Sequence, residues 1–561
     1  MQNKLLHLRY FFLIFSVALM LSGVALAGFT QNNAGSVIVT EVDFLAADGS
    51  NIHATLQQPV YATDADPLPG VIVYHGSLQS KEWLMAFGIE LARRGFVVLT
   101  PDANGHGDSD PGSGSGSAAL EYLAALDYVD TSSIGLIGHS MGGGTAWQAI
   151  HDSPVNVRAV VLVGSWIQPS WNASYPSNLL ITVGSFDSLF SGRNVTALDA
   201  VFNTTHVQEG VLYGDFSTNT AREYIEARTN HLFETIDPKI VSETVEWMKN
   251  SLKGGVEDEH WQPANDLMYG WWLVGGFFGT LGAVLTIFPL ITILLDIPTF
   301  SFLKKEERSA LERQPEATGP FTKWGLIYSI VPPITFFPLM FVGLFIPFPQ
   351  TYGAAISTWF LGVAFILYLL LRIATKGTMN YKLKVSTGLI IKTFSVALIV
   401  ILWLYAWTLM VDLGLALDFR CFLPGMNDLT ALRALFVPVY AIVFFIYFLI
   451  DGMWLIGPLR PPDAEPWYKA QTKWSVYSMV IKCYPFVALI AIEFGLGFLL
   501  DAPVIPGIIG YTFLFFYAFT PWFAVSTVIT VWSYRSTDRY YLGSFINALL
   551  FAWLLATILP V

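Results

Sequence analysis

The sequence has few charged residues and few cysteines. Only 13% of its 561 residues are Asp, Glu, Lys or Arg and 54% are hydrophobic, whereas a soluble protein usually has about 25% charged residues. The low charge excludes a wholly soluble chain and predicts that much of it lies in lipid. Its two cysteines, Cys421 and Cys483, fall in different predicted environments, so a framework of disulfide bonds is not indicated.

The sequence also lacks a strongly basic patch and has no histidine in its second half. The net charge of −12 and the lack of a basic patch suited to phosphates argue against a nucleic-acid partner. All nine histidines lie at or before His260, which excludes a histidine-ligated haem or metal site in the apolar half that follows. We predict no cofactor and no bound metal ion.

Long apolar runs fill the second half of the chain, from Met268 to Val561. Each is long enough to cross roughly 30 Å of hydrocarbon at about 1.5 Å per residue. The predicted spans are 270–295, 324–346, 353–373, 386–411, 433–457, 475–499, 505–532 and 541–560. This pattern predicts an all-α transmembrane domain of about eight helices over residues 268–561.

The loops between these spans alternate in their content of Lys and Arg. The even loops are nearly free of both, since 347–352 and 500–504 have none and 412–432 has only Arg420. The odd loops carry Lys304, Lys305, Arg308, Arg313, Lys323, Arg372, Lys376, Lys382, Lys384, Arg460, Lys469, Lys473, Arg535 and Arg539. Because basic loops stay in the cytoplasm, residues 30–267 are predicted to lie on the other side.

Few ionisable residues fall inside the spans. Asp451 and Lys482 lie near predicted cytoplasmic ends, where side chains can reach the interface. Glu493 is the acid best placed to act within the membrane. No internal repeat is visible, which weakens a transporter function.

The N-terminus combines a basic flank with an apolar run from Tyr10 to Ala27. Ala25-Leu26-Ala27 followed by Gly28 fits a signal-peptide cleavage site, but the run is also long enough for an uncleaved anchor. We predict a signal peptide or anchor at 1–28, an extracytoplasmic domain at 30–253, a linker at 254–267 and the membrane domain at 268–561. Three triplets in the outer domain have the form of N-glycosylation acceptors, beginning at Asn172, Asn194 and Asn203.

Strands alternate with helices in residues 36–252. A predicted hairpin, 36–46 with 51–57, precedes buried strands at 70–74, 95–100, 134–139, 157–163 and 179–183, then a weaker strand at 211–213. Helices are predicted at 81–94, 117–129 and 238–252. This order predicts an α/β fold with a doubly wound, mostly parallel sheet.

The segment from Ile134 to Gly144 holds the motif Gly138-His139-Ser140-Met141-Gly142 between a predicted strand and a predicted helix. This is the context in which a G-x-S-x-G nucleophile elbow exposes its serine. The following helix N-terminus can receive an oxyanion. We therefore predict that Ser140 is a nucleophile.

With these motifs, residues 30–253 resemble the α/β-hydrolase superfamily. The elbow, the His75-Gly76 turn after a strand, and Asn104-Gly105-His106-Gly107-Asp108-Ser109 carry the resemblance. It implies the chain order serine, acid, histidine. Asp187 follows a strand in Gly184-Ser185-Phe186-Asp187, and His231 precedes the last helix, so these are the implied acid and base.

Alternatives to these two residues remain in the sequence. Asp199 and Asp215 are the other candidates for the acid, while His206 and His260 are less suitably placed for the base. The remaining histidines of the domain, His139 among them, are predicted to be structural. The membrane half resembles no family that we recognise.

The predicted activity is that of a membrane-bound serine hydrolase cleaving a carboxylic ester or amide. His231 would take the proton of Ser140, and the N–H groups of Met141 and Ser77 would hold the oxyanion. The predicted partners are a small-molecule or lipid-like acyl substrate and membrane lipids. A transporter or sensor with an inactive hydrolase-like domain, or an acyltransferase using the same triad, are the alternatives.

No lid is predicted over this site. The connection between the strands ending near Val163 and beginning near Leu179 is too short for a helical cap. We predict an open site, covered by the membrane surface or by outer loops of the other half, with residues 166–171 at the pocket mouth.

Overall fold

The computed structural model describes residues 2–191, 195–304, 321–376, 386–417, 419, 425–461 and 467–561, with the backbone alone at 2–7, 195–197, 467 and 514. Several residues named from the sequence lie outside this description: Asn194, Lys305, Arg308, Arg313, Lys382, Lys384, Arg420 and Cys421.

An eight-stranded sheet forms the first half of the protein. Its strands are β1 (Val37–Leu45), β2 (Asn51–Pro59), β3 (Leu68–Tyr74), β4 (Val97–Pro101), β5 (Val129–His139), β6 (Ala159–Val163), β7 (Leu179–Gly184) and β8 (Arg222–Ala227). They are ordered β1-β2-β4-β3-β5-β6-β7-β8. Antiparallel pairs join β1 to β2 and β2 to β4, and the other neighbours are parallel. The predicted mostly parallel sheet is confirmed.

Helices cover both faces of this sheet. After α1 (Gln2–Gln31) come α2 (Met85–Ala92), α3 (Ser115–Ala124), α4 (Met141–Asp152), α5 (Val195–Phe202) and α6 (Pro238–Leu252). Val71 and Val73 share a core with α2 and α6, whereas Ile72 and Tyr74 share another with α3 and α4. Alternate side chains of a strand point to opposite faces, so a strand that is covered on both faces is continuously apolar.

The last strand is not where the sequence predicted it. Tyr213 makes only an isolated bridge, to Arg222 of β8, and the strand expected at 211–213 is wrong. β8 was missed because it is an edge strand in which three of six residues are charged and the buried residues are Arg222, Ile225 and Ala227. Its position matters for the site, since the loop after β8 carries His231.

Within the described residues, nine helices are long and apolar enough to cross a membrane. Besides residues 8–31 of α1, they comprise α7 (Tyr269–Leu294), α8 (Lys323–Gly343), α9 (Gly353–Ala374), α10 (Thr387–Leu415), α11 (Ala431–Ala434) with α12 (Val437–Ile456), α13 (Trp467–Leu500), α14 (Ile508–Thr512) with α15 (Leu514–Thr537), and α16 (Tyr541–Ile558). They include all eight predicted spans, as expected for a membrane protein.

The N-terminal helix α1 packs along α7 at glycines. A Cβ atom on Gly23 would lie 2.3 Å from the nitrogen of Gly279, and one on Gly275 would lie 2.6 Å from the nitrogen of Ala27. Small residues let the two backbones approach this closely, as at many helix contacts in membranes. At one end of the pair, Arg9 forms an ion pair with Asp296.

Two charges expected at span ends are instead buried in the bundle. Lys482 Nζ lies 2.8 Å from Asp451 Oδ2, and their side chains are 4% and 0% exposed. Tyr328 donates a hydrogen bond of 2.5 Å to the other oxygen of Asp451. The expectation that these two side chains reach the interface is wrong, because each finds its partner on a neighbouring helix.

Candidate active site

Ser140 lies at the sharp turn between β5 and α4. Its φ of 53° and ψ of −119° are strained for a residue with a side chain. The flanking glycines make the turn possible, since a Cβ atom on Gly142 would lie 2.1 Å from the carbonyl oxygen of Tyr74 and one on Gly138 would lie 2.4 Å from that of Gly142. The turn has the geometry of a nucleophile elbow.

The structure brings Ser140, His231 and Asp187 together. His231 Nε2 is 3.0 Å from Ser140 Oγ, and His231 Nδ1 is 2.9 Å from Asp187 Oδ2. Asp187 follows β7, and His231 lies in the loop between β8 and α6. The other oxygen of Asp187 accepts hydrogen bonds from the backbone N–H groups of Leu189 and Phe190, at 2.6 and 3.1 Å. All three side chains are buried.

The alternative acid and base residues have other environments. Asp215 caps the short turn Phe216–Thr218, and Asp199 belongs to α5. His260 stacks on Tyr61, with ring centres 3.7 Å apart. These residues and His206 make no hydrogen bond with Ser140 in the described structure.

A second carboxylate at the histidine escaped the sequence analysis. Glu234 Oε2 lies 3.3 Å from His231 Nδ1 and 3.4 Å from Nε2 of His139. Its other oxygen accepts a hydrogen bond of 2.6 Å from the backbone N–H of Gly184. The three-residue spacing from His231 was the available signal, because a helical turn brings such residues to the same side.

These carboxylates set the protonation of His231. Burial opposes its charged form, but the negative charges of Asp187 and Glu234 outweigh burial and raise the pKa of His231 well above its usual range. Burial, aided by the nearby charge of Glu234, raises the pKa of Asp187 despite its bond to His231. Because a general base must be neutral before it takes a proton, the arrangement favours reaction at higher pH.

His139, His231 and Glu234 also have a spacing compatible with metal binding. One ligand atom from each lies within 4.8 Å of those of the others. However, the ring nitrogens of His231 contact Asp187 and Ser140, and His139 Nδ1 contacts Gln79. We therefore assign the group to the hydrogen-bond network of the serine.

The two residues predicted to hold an oxyanion flank Ser140. Met141 is the first residue of α4, a position whose N–H has no acceptor within the helix. Ser77 follows β3 and lines the same pocket as Ser140. The preceding N–H, of Gly76, donates to Gln79 Oε1 at 2.8 Å, so the oxyanion role of the Ser77 N–H stays a prediction.

One wall of the pocket above Ser140 is formed by the membrane half. Besides residues 76–79 and His231, it is lined by Ile356 of α9, by residues of α14 and α15 between Tyr511 and Trp522, and by residues 551–559 in and just after α16. The ring centre of Tyr511 lies 5.8 Å from that of His231. The other half does cover the site, as predicted, but mainly with helices rather than with outer loops. Trp166, predicted at the pocket mouth, does not line the pocket and is 52% exposed.

Comparison with known proteins agrees with the fold of the first half. Residues 69–247 match the family described as alpha/beta hydrolase fold. Bis(hydroxyethyl) terephthalate hydrolase of Streptomyces coelicolor is 28% identical over 236 residues, which are 39% of this chain and 67% of that protein. Cutinase 2 of Thermobifida cellulosilytica is 27% identical over 186 residues, which are 31% of this chain and 64% of that protein.

Among solved structures, an esterase of Pyrococcus furiosus aligns with a TM-score of 0.30 at 14% identity and covers 39% of this chain and 96% of its own. The chain spans about two thirds of the length of the two curated relatives. The family match, with the sheet order, confirms an α/β-hydrolase fold for the first half, and the named relatives support the predicted hydrolase class.

Proposed function

We propose that the protein is a membrane-bound serine hydrolase that cleaves a carboxylic ester through an acyl-enzyme on Ser140. The observation that carries this proposal is the hydrogen-bonded line from Ser140 through His231 to Asp187, with distances of 3.0 and 2.9 Å. An amide substrate would use the same chemistry. The names of the relatives, a terephthalate ester hydrolase and a cutinase, favour the ester.

The proposed reaction has two halves. Ser140 Oγ attacks the carbonyl carbon while His231 Nε2 takes its proton, and the oxyanion is held by the N–H groups of Met141 and Ser77. The bond to the alcohol breaks, and His231 returns the proton to the departing oxygen. Water, deprotonated by His231, then releases the acid and restores Ser140, while Asp187 stabilises each imidazolium.

We also propose that the hydrolase domain faces away from the cytoplasm. The alternation of basic loops supports this side. The pairing of Arg9 in α1 with Asp296 just after α7 supports it too, since the basic flank and the first basic loop then share one side. The proposed units are residues 1–28, 30–253, 254–267 and 268–561, where 1–28 is the membrane-targeting helix.

A fluorophosphonate probe on the purified full chain tests the proposal. We expect covalent labelling that is lost in Ser140→Ala, together with hydrolysis of p-nitrophenyl acetate that is lost in the same variant. Ser117→Ala, on the surface helix α3, is the matched control and should label normally. Folded wild-type protein that takes no label and hydrolyses no ester would instead favour the transporter or sensor.

A further inference from the structure

The pocket at Ser140 continues into the membrane bundle. Of its 21 lining residues, 12 belong to the membrane half. The α15 residues among them, Phe515 to Trp522, follow Tyr511, which stands beside His231. From Tyr511 to Trp522 the chain advances roughly 16 Å, at about 1.5 Å per residue, so the pocket follows its wall for about three helical turns.

The polarity of the lining changes along this path. Near Ser140 the wall offers polar side chains, those of Ser77, Gln79 and His139. Farther into the bundle, past Tyr517, the lining residues include the apolar side chains of Phe519, Trp522 and Phe551. The change matches a molecule with a polar carbonyl at one end and a hydrocarbon chain at the other.

The inner end of the pocket lies among the most buried residues of the bundle. Phe519 packs against Trp359 and Phe360 with ring centres 5.7 Å apart in both pairs, and those two residues are each 1% exposed. A bulky polymer segment would have to displace these packed helices to enter. A single flexible chain needs only the width between them.

We infer that this pocket is the acyl-binding site, and that the preferred substrate is an ester of a long, unbranched fatty acid. This inference depends on the proposed function, because it places the acyl group of the Ser140 acyl-enzyme along α15 and α16. The alcohol side of the ester is left near His231 and Tyr511, whose ring centres are 5.8 Å apart. A membrane lipid and a dispersed long-chain ester share this acyl chemistry.

A chain-length series tests the inference. Full-length protein in detergent is offered p-nitrophenyl esters of increasing acyl length, from acetate to palmitate. Each methylene that enters an apolar pocket can multiply kcat/KM by a factor of up to roughly four. We therefore expect kcat/KM to rise steeply over several carbons before it levels off. A wild-type profile that is flat, or that falls beyond the short acyl chains, would overturn the inference.

A substitution that fills the pocket with a larger side chain provides the second test. Ala518 lines the pocket on α15, whereas Ala524 on the same helix is also partly buried but does not line it. We expect Ala518→Trp to lower the ratio of laurate to acetate hydrolysis by tenfold or more, and Ala524→Trp to leave it as in the wild type. An unchanged ratio in Ala518→Trp protein that still labels at Ser140 would overturn the inference.

Two further readouts separate the outcomes. If the wild type neither takes the label nor hydrolyses p-nitrophenyl acetate, the proposed function fails. If it hydrolyses the acetate ester but kcat/KM does not rise with acyl length, the inference alone fails. Monolauroylglycerol offered in phosphatidylcholine vesicles and in detergent micelles distinguishes the source. Faster cleavage in vesicles indicates entry from the bilayer, and faster cleavage in micelles indicates entry from solution.

Discussion

Replacing Glu234 with glutamine should move the pH dependence of the enzyme. Glu234 Oε2 is 3.3 Å from His231 Nδ1, and both side chains are buried. At an effective dielectric constant of about 20, two unit charges at this distance interact by about 5 kcal/mol. Because Glu234 also faces His139 and the charge of an imidazolium is spread over its ring, we expect about a third of this effect, or roughly one pH unit.

The sign of the shift follows from which form of His231 the carboxylate stabilises. The negative charge of Glu234 favours the imidazolium and helps to raise the pKa of His231. Without that charge the pKa falls, so the neutral base forms at lower pH. The rising acid limb of the kcat/KM profile should therefore shift to lower pH in Glu234→Gln.

The assay is ester hydrolysis by the full chain between pH 5 and pH 10, with fluorophosphonate labelling as the measure of intact sites. Glutamine keeps the shape of the side chain and an oxygen for the N–H of Gly184. Glu246→Gln on α6, whose partner is Lys249, is the matched control and should leave the profile in place. If the acid limb of labelled Glu234→Gln protein remains at the wild-type pH or moves to higher pH, the electrostatic effect of Glu234 on His231 is refuted.

The remaining predictions concern the triad, the helix contacts and the buried ion pair. Asp187→Asn should lower kcat by about 10³- to 10⁴-fold, because the imidazole loses its orienting partner. Ser217→Ala, at a surface turn, is the control and should keep the wild-type kcat. Equal kcat values for the two variants in steady-state ester assays would contradict the assigned acid. Gly275→Leu, whose Cβ would lie 2.6 Å from the backbone nitrogen of Ala27, should separate α1 from α7 and lower the thermal midpoint in detergent. Gly414→Leu, where a Cβ meets open space, is the control, and equal midpoints would argue against close packing. Asp451→Asn should destabilise the bundle by about 3–5 kcal/mol, because it leaves Lys482 buried without a counter-charge, and adding Lys482→Met should recover part of that loss. Unfolding in a denaturant series checks this, and a double variant less stable than Asp451→Asn would contradict it.

The sequence was most informative where a local pattern determines the structure. The elbow at Ser140 needs small residues at two fixed positions, and the close approaches of Gly138 and Gly142 show why. Strands buried on both faces and spans buried in lipid are continuous apolar runs, so their positions could be predicted. The chain order of the family that the sequence resembles predicts Asp187 and His231, and the structure brings both residues to Ser140.

Features that depend on packing between distant segments could not be predicted. β8 lies at the sheet edge and needs only one apolar residue in two or three, so its sequence resembles a surface loop. Glu234 gains its role from a turn that directs it toward two histidines. The cover of the site depends on which helices pack on the hydrolase domain, and apolar composition is the same for a helix that faces lipid and one that faces Ser140.

The contacts between the two halves explain why the bundle can serve as a wall of the site. Arg433, buried to 2% exposure, donates hydrogen bonds to the carbonyl oxygens of Leu559 and of Gly105, at 2.7 and 3.0 Å. It thus ties the end of α16 to the loop that resembles the family's Gly-His-Gly-x-Ser motif.

A second attachment lies at the start of the membrane half. Glu90 Oε1 accepts hydrogen bonds of 2.6 and 2.8 Å from the N–H groups of Met268 and Tyr269, which begin α7. A third is made by Arg228, three residues before His231, whose guanidinium lies 4.3 Å from the ring of Phe498 on α13. Attachments at separate points fix the orientation of one body on another, so the aromatic wall on α15 and α16 keeps its place relative to Ser140. In the proposed hydrolase, the membrane half therefore forms one wall of the pocket at Ser140.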